Sequence, residues 1–370
     1  MKRSVIWLVA AVLLAALPAY ATPSVDWTHT FAGWGTAHGV CVQQSSDGGY
    51  MVVGETSSGD SSPASAVLLV KLDAQGATTW IKTIKGSDGI VASSVQQSAD
   101  GGYIVAGSGT LTPGWQENAW LIKTDDTGHV VWQSAVSEAM DAVGYSVVGH
   151  QGSYYLTAVL PGDDIGLVLF KTDSQGNPLW GARYPIRYKM PYGEASVPLS
   201  RTSDGGFIIG TRALLKVDSD GNQQWLKTYT GLTYVLSVQQ TPDGGYIATG
   251  DAGDMDSIYL LKTTATGDMI WKRTYAPSGY SAGAWVERTS DGGYVVSGTY
   301  ESGDHIVASI LKTTSDGTLA WSDSLFLGVA DCVRQTQDGG YIVTGTYHDP
   351  TDDKEYLFLT KLMPEQRRQK

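Results

Sequence analysis

Lys71-Leu-Asp73-Ala-Gln-Gly76-Ala-Thr-Thr-Trp80 is a frame that this chain repeats along almost its whole length. Lysine and tryptophan stand nine residues apart here, and the offset is unchanged in Lys123 to Trp132, Lys171 to Trp180, Lys216 to Trp225, Lys262 to Trp271 and Lys312 to Trp321. A glycine always lies four residues before the tryptophan: Gly76, Gly128, Gly176, Gly221, Gly267 and Gly317. Asp or Thr three residues ahead of that glycine marks the start of a tight turn, and the glycine supplies the positive φ such a turn needs.

A second cassette alternates with the first. Asp-Gly-Gly followed by an aromatic residue begins at Asp47, Asp100, Asp204, Asp243, Asp291 and Asp338, and a seventh, degraded copy reads Gln151-Gly152-Ser153-Tyr154. Short β-rich runs flank each copy, so Asp-Gly is expected to form a type I′ hairpin turn. Each unit then supplies four strands, A to D. The Asp-Gly-Gly turn joins A to B, a loop joins B to C, and the Lys-to-Trp frame joins C to D.

Including Trp27, seven tryptophans recur at intervals of 45 to 53 residues, a period at which repeat architectures build one propeller blade per unit. The chain ends on a lysine, Lys361, with no tryptophan after it, and it begins with a lone strand around Trp27. The expected fold is therefore all-β, a seven-bladed β-propeller whose N-terminal strand completes the last blade. Such closure pairs edges that would otherwise template aggregation. The propeller is expected over 22–363, with 364–370 as a polar tail.

Residues 1–21 have the three parts of a secretory signal: Met1-Lys2-Arg3, an apolar run, and Ala19-Tyr20-Ala21 before the expected cleavage. The apolar stretch is short for a membrane anchor, and no later segment is long and apolar enough to span a bilayer. The expectation is export to the periplasm, the cell surface or the medium. A formal net charge of −12, more negative once Lys2 and Arg3 are removed, argues against nucleic acid and anionic membranes as partners.

With these motifs in hand, the chain resembles the secreted bacterial and archaeal β-propeller repeat proteins, whose units carry an Asp-Gly-Gly-Tyr hairpin and a Lys-x-Asp-x-x-Gly-x-x-x-Trp hairpin. The likeness covers residues 26 to 363. It implies the fold and an exported or surface protein, and it is nearly silent on activity. Neither the Gly-His and Trp-Asp pairing of WD40 units nor the kelch placement of the double glycine is present.

A lysine present in every unit reads as structural, holding a turn or a neighbouring blade through hydrogen bonds. The tryptophans read as plugs between blades. Recognition is expected where lengths vary, in the B–C and D–A loops on the face opposite the tight turns. The longest are Thr56 to Ala64, Gly109 to Asn118, Tyr184 to Gly193 and Tyr347 to Glu355, beside a notch where Gly210-Thr-Arg-Ala213 leaves almost no loop.

The preferred ligand-binding residues are Arg187, Tyr188, Lys189 and Tyr192, with Trp115 from another loop. They combine cations with stacking rings suited to an acidic group or a sugar. Asp251, Asp254 and Asp256, and the run from His348 to Asp353, gather oxygen ligands of the calcium kind. Neither has EF-hand spacing, and turn chemistry competes. No zinc spacing, nucleophile elbow or cofactor motif is found, and no cofactor is expected.

Cys41 and Cys332 each precede an Asp-Gly-Gly by six residues, at equivalent places on strands that ring closure makes neighbours. Export favours a disulfide there, whereas equivalent side chains pointing the same way around a ring disfavour it. The functional expectation is a non-catalytic binding or scaffold module for a protein or carbohydrate at the cell exterior. The alternatives are a polysaccharide hydrolase or lyase using acidic residues at the loop face or channel mouth, and a purely structural surface component.

Overall fold

The computed structural model describes residues 21–32, 35–57, 65–87, 89–111, 117–136, 142–160, 166–187, 196–252, 257–275 and 281–366. Among the described residues there are 27 strands and no helix. The expected signal segment, apart from Ala21, lies outside them.

Five antiparallel sheets each hold four consecutive strands in the order A, B, C, D. The first comprises Thr36–Gln44, Tyr50–Ser57, Ser65–Leu72 and Thr78–Lys85. The second comprises Ile90–Gln97, Tyr103–Gly109, Asn118–Thr124 and Val130–Ala135. The third runs Val143–His150, Ser153–Leu160, Gly166–Thr172 and Pro178–Arg187, and the fourth Leu199–Arg201, Phe207–Gly210, Ala213–Val217 and Gln223–Thr228. The fifth is Leu232–Gln240, Tyr246–Ala252, Ile258–Thr263 and Met269–Tyr275.

The remaining strands form one seven-stranded sheet: Ser281–Arg288, Tyr294–Ser302, His305–Thr313, Leu319–Gln335, Tyr341–Asp349, Lys354–Leu362 and, last, Val25–Phe31. Leu319–Gln335 is a 17-residue strand. Its first half pairs with His305–Thr313 and its second half with Tyr341–Asp349. Where a D–A loop is expected, the chain therefore continues as strand. At the outer edge Trp27 lies opposite Lys361 and Phe31 opposite Leu357, so the N-terminal strand zips onto the C-terminal one.

Burial follows strand position. Ser65–Leu72 is buried over almost its whole length, whereas Thr78–Lys85 at the sheet edge alternates exposed and half-buried residues, as expected of a strand covered on both faces and one covered on one. The A strands pack each against the next, and Thr36–Gln44 packs on the second half of Leu319–Gln335. Trp27, Trp80, Trp132, Trp180, Trp225 and Trp271 reach across the gap to the next sheet, and Trp321 makes the equivalent contact with Tyr341 inside the seven-stranded sheet. Trp27 meets Tyr50 edge-on at 5.7 Å, and a Cβ on Gly76 would lie 2.6 Å from the Trp27 ring. Trp80 on Tyr103, Trp225 on Tyr246 and Trp271 on Tyr294 repeat the contact.

The Asp-Gly turns differ from the type I′ expectation. Ser45 N–H donates to the Gly49 carbonyl and Gly48 N–H to that of Ser45, and only Gly48, at φ 82, is left-handed. This is a type I turn closed by a glycine bulge. Only the degraded copy is type I′, with Gln151 at φ 49 and Gly152 at φ 75 joining His150 directly to Ser153. The predicted loop Tyr347 to Glu355 is also mostly strand. Asp349 pairs with Lys354, leaving a four-residue turn, and Tyr347 and Tyr356 face each other across it at 6.4 Å.

Candidate functional site

The repeated lysines are turn clamps. Lys71 Nζ donates to both carboxylate oxygens of Asp47, at 2.8 Å and 3.1 Å, and to the Leu72 carbonyl. Lys123 with Asp100, Lys216 with Asp204, Lys262 with Asp243, Lys312 with Asp291 and Lys361 with Asp338 repeat the pair at 2.8 to 2.9 Å. All six ammonium groups are buried. The Asp204 and Asp243 carboxyls are held at about 2: burial opposes this, and hydrogen bonds from Thr, the lysine and a glycine N–H prevail. The clamp lies within one sheet, and these lysines are committed to architecture.

Gly48 of the A–B turn sits against Ala74 of the C–D turn, so both tight turns share one face of the molecule. The opposite face collects the variable connections. Phe207–Gly210 and Ala213–Val217 are joined there by two residues, which leaves the expected notch. Tyr184, at the base of the insertion, is buried and donates its hydroxyl to the Gly221 carbonyl, as Tyr229 does to Gly267 and Tyr275 to Gly317. Tyr184 is thus a repeated anchor and not a ligand contact. The Arg187 backbone ends the same strand, opposite Gly166. Its side chain, Tyr188, Lys189, Tyr192 and Trp115 lie outside the described residues, as do Asp254 and Asp256.

Two polar features stand out on this face, the first a histidine–carboxylate contact absent from the sequence reading and the second at Asp251, read there as a candidate calcium ligand. At the seam between the first sheet and the last, His38 Nε2 lies 3.4 Å from Glu355 and His38 Nδ1 3.2 Å from the Thr346 hydroxyl. His348 opposes Glu355 in the hairpin and lies 3.4 Å from Asp353. An imidazole held by a carboxylate is the arrangement that orients a general base or a polar ligand contact. The second feature is Asp251, buried between Tyr234 and Ile258, with its Oδ1 unpartnered among the described residues. Burial pushes its carboxyl up to about 6.

The acidic run at the last hairpin is absorbed by turn chemistry. Asp349 accepts from the backbone and hydroxyl of Thr351, and Asp352 from Lys354 N–H and the Tyr356 hydroxyl. Among the described residues no group of three acidic, histidine or cysteine side chains is placed to hold a metal. A cavity of about 690 Å³ opens between the fifth and the seven-stranded sheets, lined by Arg273, Tyr275, Tyr300, Ser309, Asp323 and Ser324 among others. Its tyrosines already bond to Gly317 and Ser324.

Around the axis, side chains of the A strands stitch sheet to sheet. Gln43 accepts from Gln97 N–H, Gln96 from Gly149 N–H, and Gln239 donates to Glu287 at 2.7 Å. Arg334 pairs with the same Glu287 oxygen at 2.9 Å, reaches the Val42 carbonyl, and stacks over Trp285 at 4.2 Å. Cys41 and Cys332 lie beside it as free, buried thiols with sulfurs 4.0 Å apart. The Cys332 thiol lowers Cys41, against burial and with help from Arg334, while burial pushes Cys332 up.

Neither a family model nor a curated relative matches this chain. Solved structures do. A streptogramin B lyase shares 13% identity over 91% of this chain and 97% of its own, with a TM-score of 0.58. A catalytically inactive histidine variant of virginiamycin B lyase from Staphylococcus aureus, with quinupristin, shares 11% over 91% and 99%, with a TM-score of 0.57. YCF48 with a bound peptide shares 9% over 93% and 98%, with a TM-score of 0.54. At these identities the likeness is one of fold, and this chain has a propeller-like, all-β architecture.

Proposed function

We propose that this chain is an exported seven-bladed propeller acting as a non-catalytic binding or scaffold module, and that its variable-loop face recognises a protein or a carbohydrate. The seven-stranded sheet counts as two blades that share the 17-residue strand. The last of them is completed by Val25–Phe31. Six Lys-to-Trp frames, with Trp27 opposite Lys361 as the seventh pair, agree with that count.

One observation carries the reading of the face. Both tight turns abut at one end of the sheets, so length variation is forced to the other, where connections on a rigid scaffold suit recognition. Peptide binding by YCF48, a protein of similar fold, is in keeping with this. Glycan and peptide arrays probed with wild type, an Arg187→Ala, Tyr188→Ala double variant and His38→Ala test it. Selective wild-type binding that a loop-face variant abolishes is expected, and equal binding by all three removes the proposal.

The His38–Glu355 contact favours a second reading, a lyase or hydrolase with His38 as base and Glu355 orienting it. A histidine variant inactivates virginiamycin B lyase, also of similar fold. Polysaccharide turnover lost in both His38→Ala and Glu355→Gln supports this reading; no turnover by wild type rejects it.

A further inference from the structure

The third sheet breaks the clamp that the other units keep. Its A–B connection is Gln151-Gly152, two residues in place of the five from Ser45 to Gly49, and it carries no carboxylate. Lys171 nevertheless occupies the clamp position, opposite Trp180 as Lys71 is opposite Trp80. Its ammonium lies 5.3 Å from the centre of the Tyr155 ring and forms no hydrogen bond or ion pair with any described residue. It is partly exposed, where all six clamped lysines are buried.

Two more nitrogen groups approach the same spot on the tight-turn face. The Tyr155 ring packs at 4.4 Å on Phe207 of the fourth sheet, and Phe207 pairs in register with the exposed Arg201. His150 ends the A strand of the third sheet. Burial, then the Arg201 and Lys171 charges, lower its pKa, which keeps the imidazole a neutral donor near pH 7.

We propose that Lys171, Arg201 and His150 form a carboxylate-binding site in which a ligand supplies the group that Asp provides in the other six units. The template is internal. Six times the same lysine position holds a carboxylate at 2.8 to 2.9 Å, and at the seventh the lysine is left with an arginine, whose planar fork suits a carboxylate. The site lies on the face opposite the variable loops, so it stands or falls apart from the proposed recognition surface.

Titration of the isotope-labelled protein with acetate, read on the amides of Gln151, Gly152 and Arg201, tests the site. Saturable shifts with a Kd of about 10 mM or tighter are expected for a lone carboxylate. Lys171→Gln and Arg201→Gln should each weaken binding by about tenfold, with Lys82→Gln as an unchanged control. Amine acylation of the wild type gives a second measure that needs no variant: Lys171 should react ahead of the six clamped lysines and be protected by acetate. N-acetylglycine and galacturonate then separate a peptide terminus from a sugar acid, by which of them binds more tightly than acetate. Absence of saturable shifts, unchanged affinity in both variants, or phosphate binding more tightly than acetate would overturn the assignment.

Discussion

The first and third sheets wind the same four strands around different turns. In the first, a five-residue type I turn carries Asp47, and Lys71 is buried against it. In the third, a two-residue type I′ turn carries no acid, and Lys171 is left over a tyrosine ring. Both sheets form in full, with inter-sheet aromatic contacts on each. The clamp is therefore an added restraint on strands that apolar burial and the tryptophan plugs already hold.

Glycine substitutions should separate most strongly a turn plugged by tryptophan, as in the first sheet at Gly76, from the open turn at Gly152 of the third. Gly76→Ala imposes a side chain at φ 86 and drives it into the Trp27 ring, a cost of about 3 kcal/mol. Gly152→Ala at φ 75 meets nothing within 4 Å and should cost about 1 kcal/mol. Equal shifts in urea midpoints would show that the tryptophan plug adds nothing.

Removing the lysines comes next. Lys71→Met takes the partner from Asp47, which is itself mostly exposed, and should cost about 2 kcal/mol. Lys171→Met should stay within about 0.5 kcal/mol of wild type. Equal losses measured by denaturant unfolding would show that the clamp is not what distinguishes these sheets.

A smaller effect has the opposite sign. Gln151 sits at φ 49, where a side chain is strained, so Gln151→Gly should raise stability by about 0.5 kcal/mol.

The pH dependence sharpens the contrast last. Despite its partial desolvation, the bonds from Lys71 and Gly49 lower the Asp47 carboxyl. That stabilisation is present above the unfolded value near 4 and is lost as pH falls below it. The third turn has no such group. Asp251 runs the other way: raised to about 6 by burial, it leaves the fold most favoured below about 4 and costs stability as pH rises through 6. Asp251→Asn should flatten that part of the stability profile, and an unchanged profile would show that Asp251 does not titrate across that range.

Much of this scaffold was legible in the chain because its signals are local and repeated. Fixed offsets such as Lys71 to Trp80 reveal hairpins, and the unmatched Trp27 and Lys361 reveal the pairing of the two ends. The turn type was misread because Asp-Gly is common to both kinds of hairpin, and the count of residues between paired positions, which separates them, depends on register. Tyr347 to Glu355 was misread as loop because Pro350 and its acidic neighbours look like turn residues over a longer span than they occupy. The degraded copy at Gln151 was visible. Its consequence for Lys171 was not, because the offset between Asp and Lys varies from 12 to 24 residues and conceals that they touch.

Taken alone, the order of residues determined an all-β repeat, its frame, its two faces and the meeting of its ends, since turn chemistry and strand patterning act over a few neighbouring positions. Only the folded sheets decided that His38 meets Glu355, that Arg334 bridges to Glu287, that the two thiols lie 4.0 Å apart, and that Lys171 has no carboxylate partner among the described residues. Those contacts join segments far apart in the chain, and their geometry is set by how one sheet packs on the next.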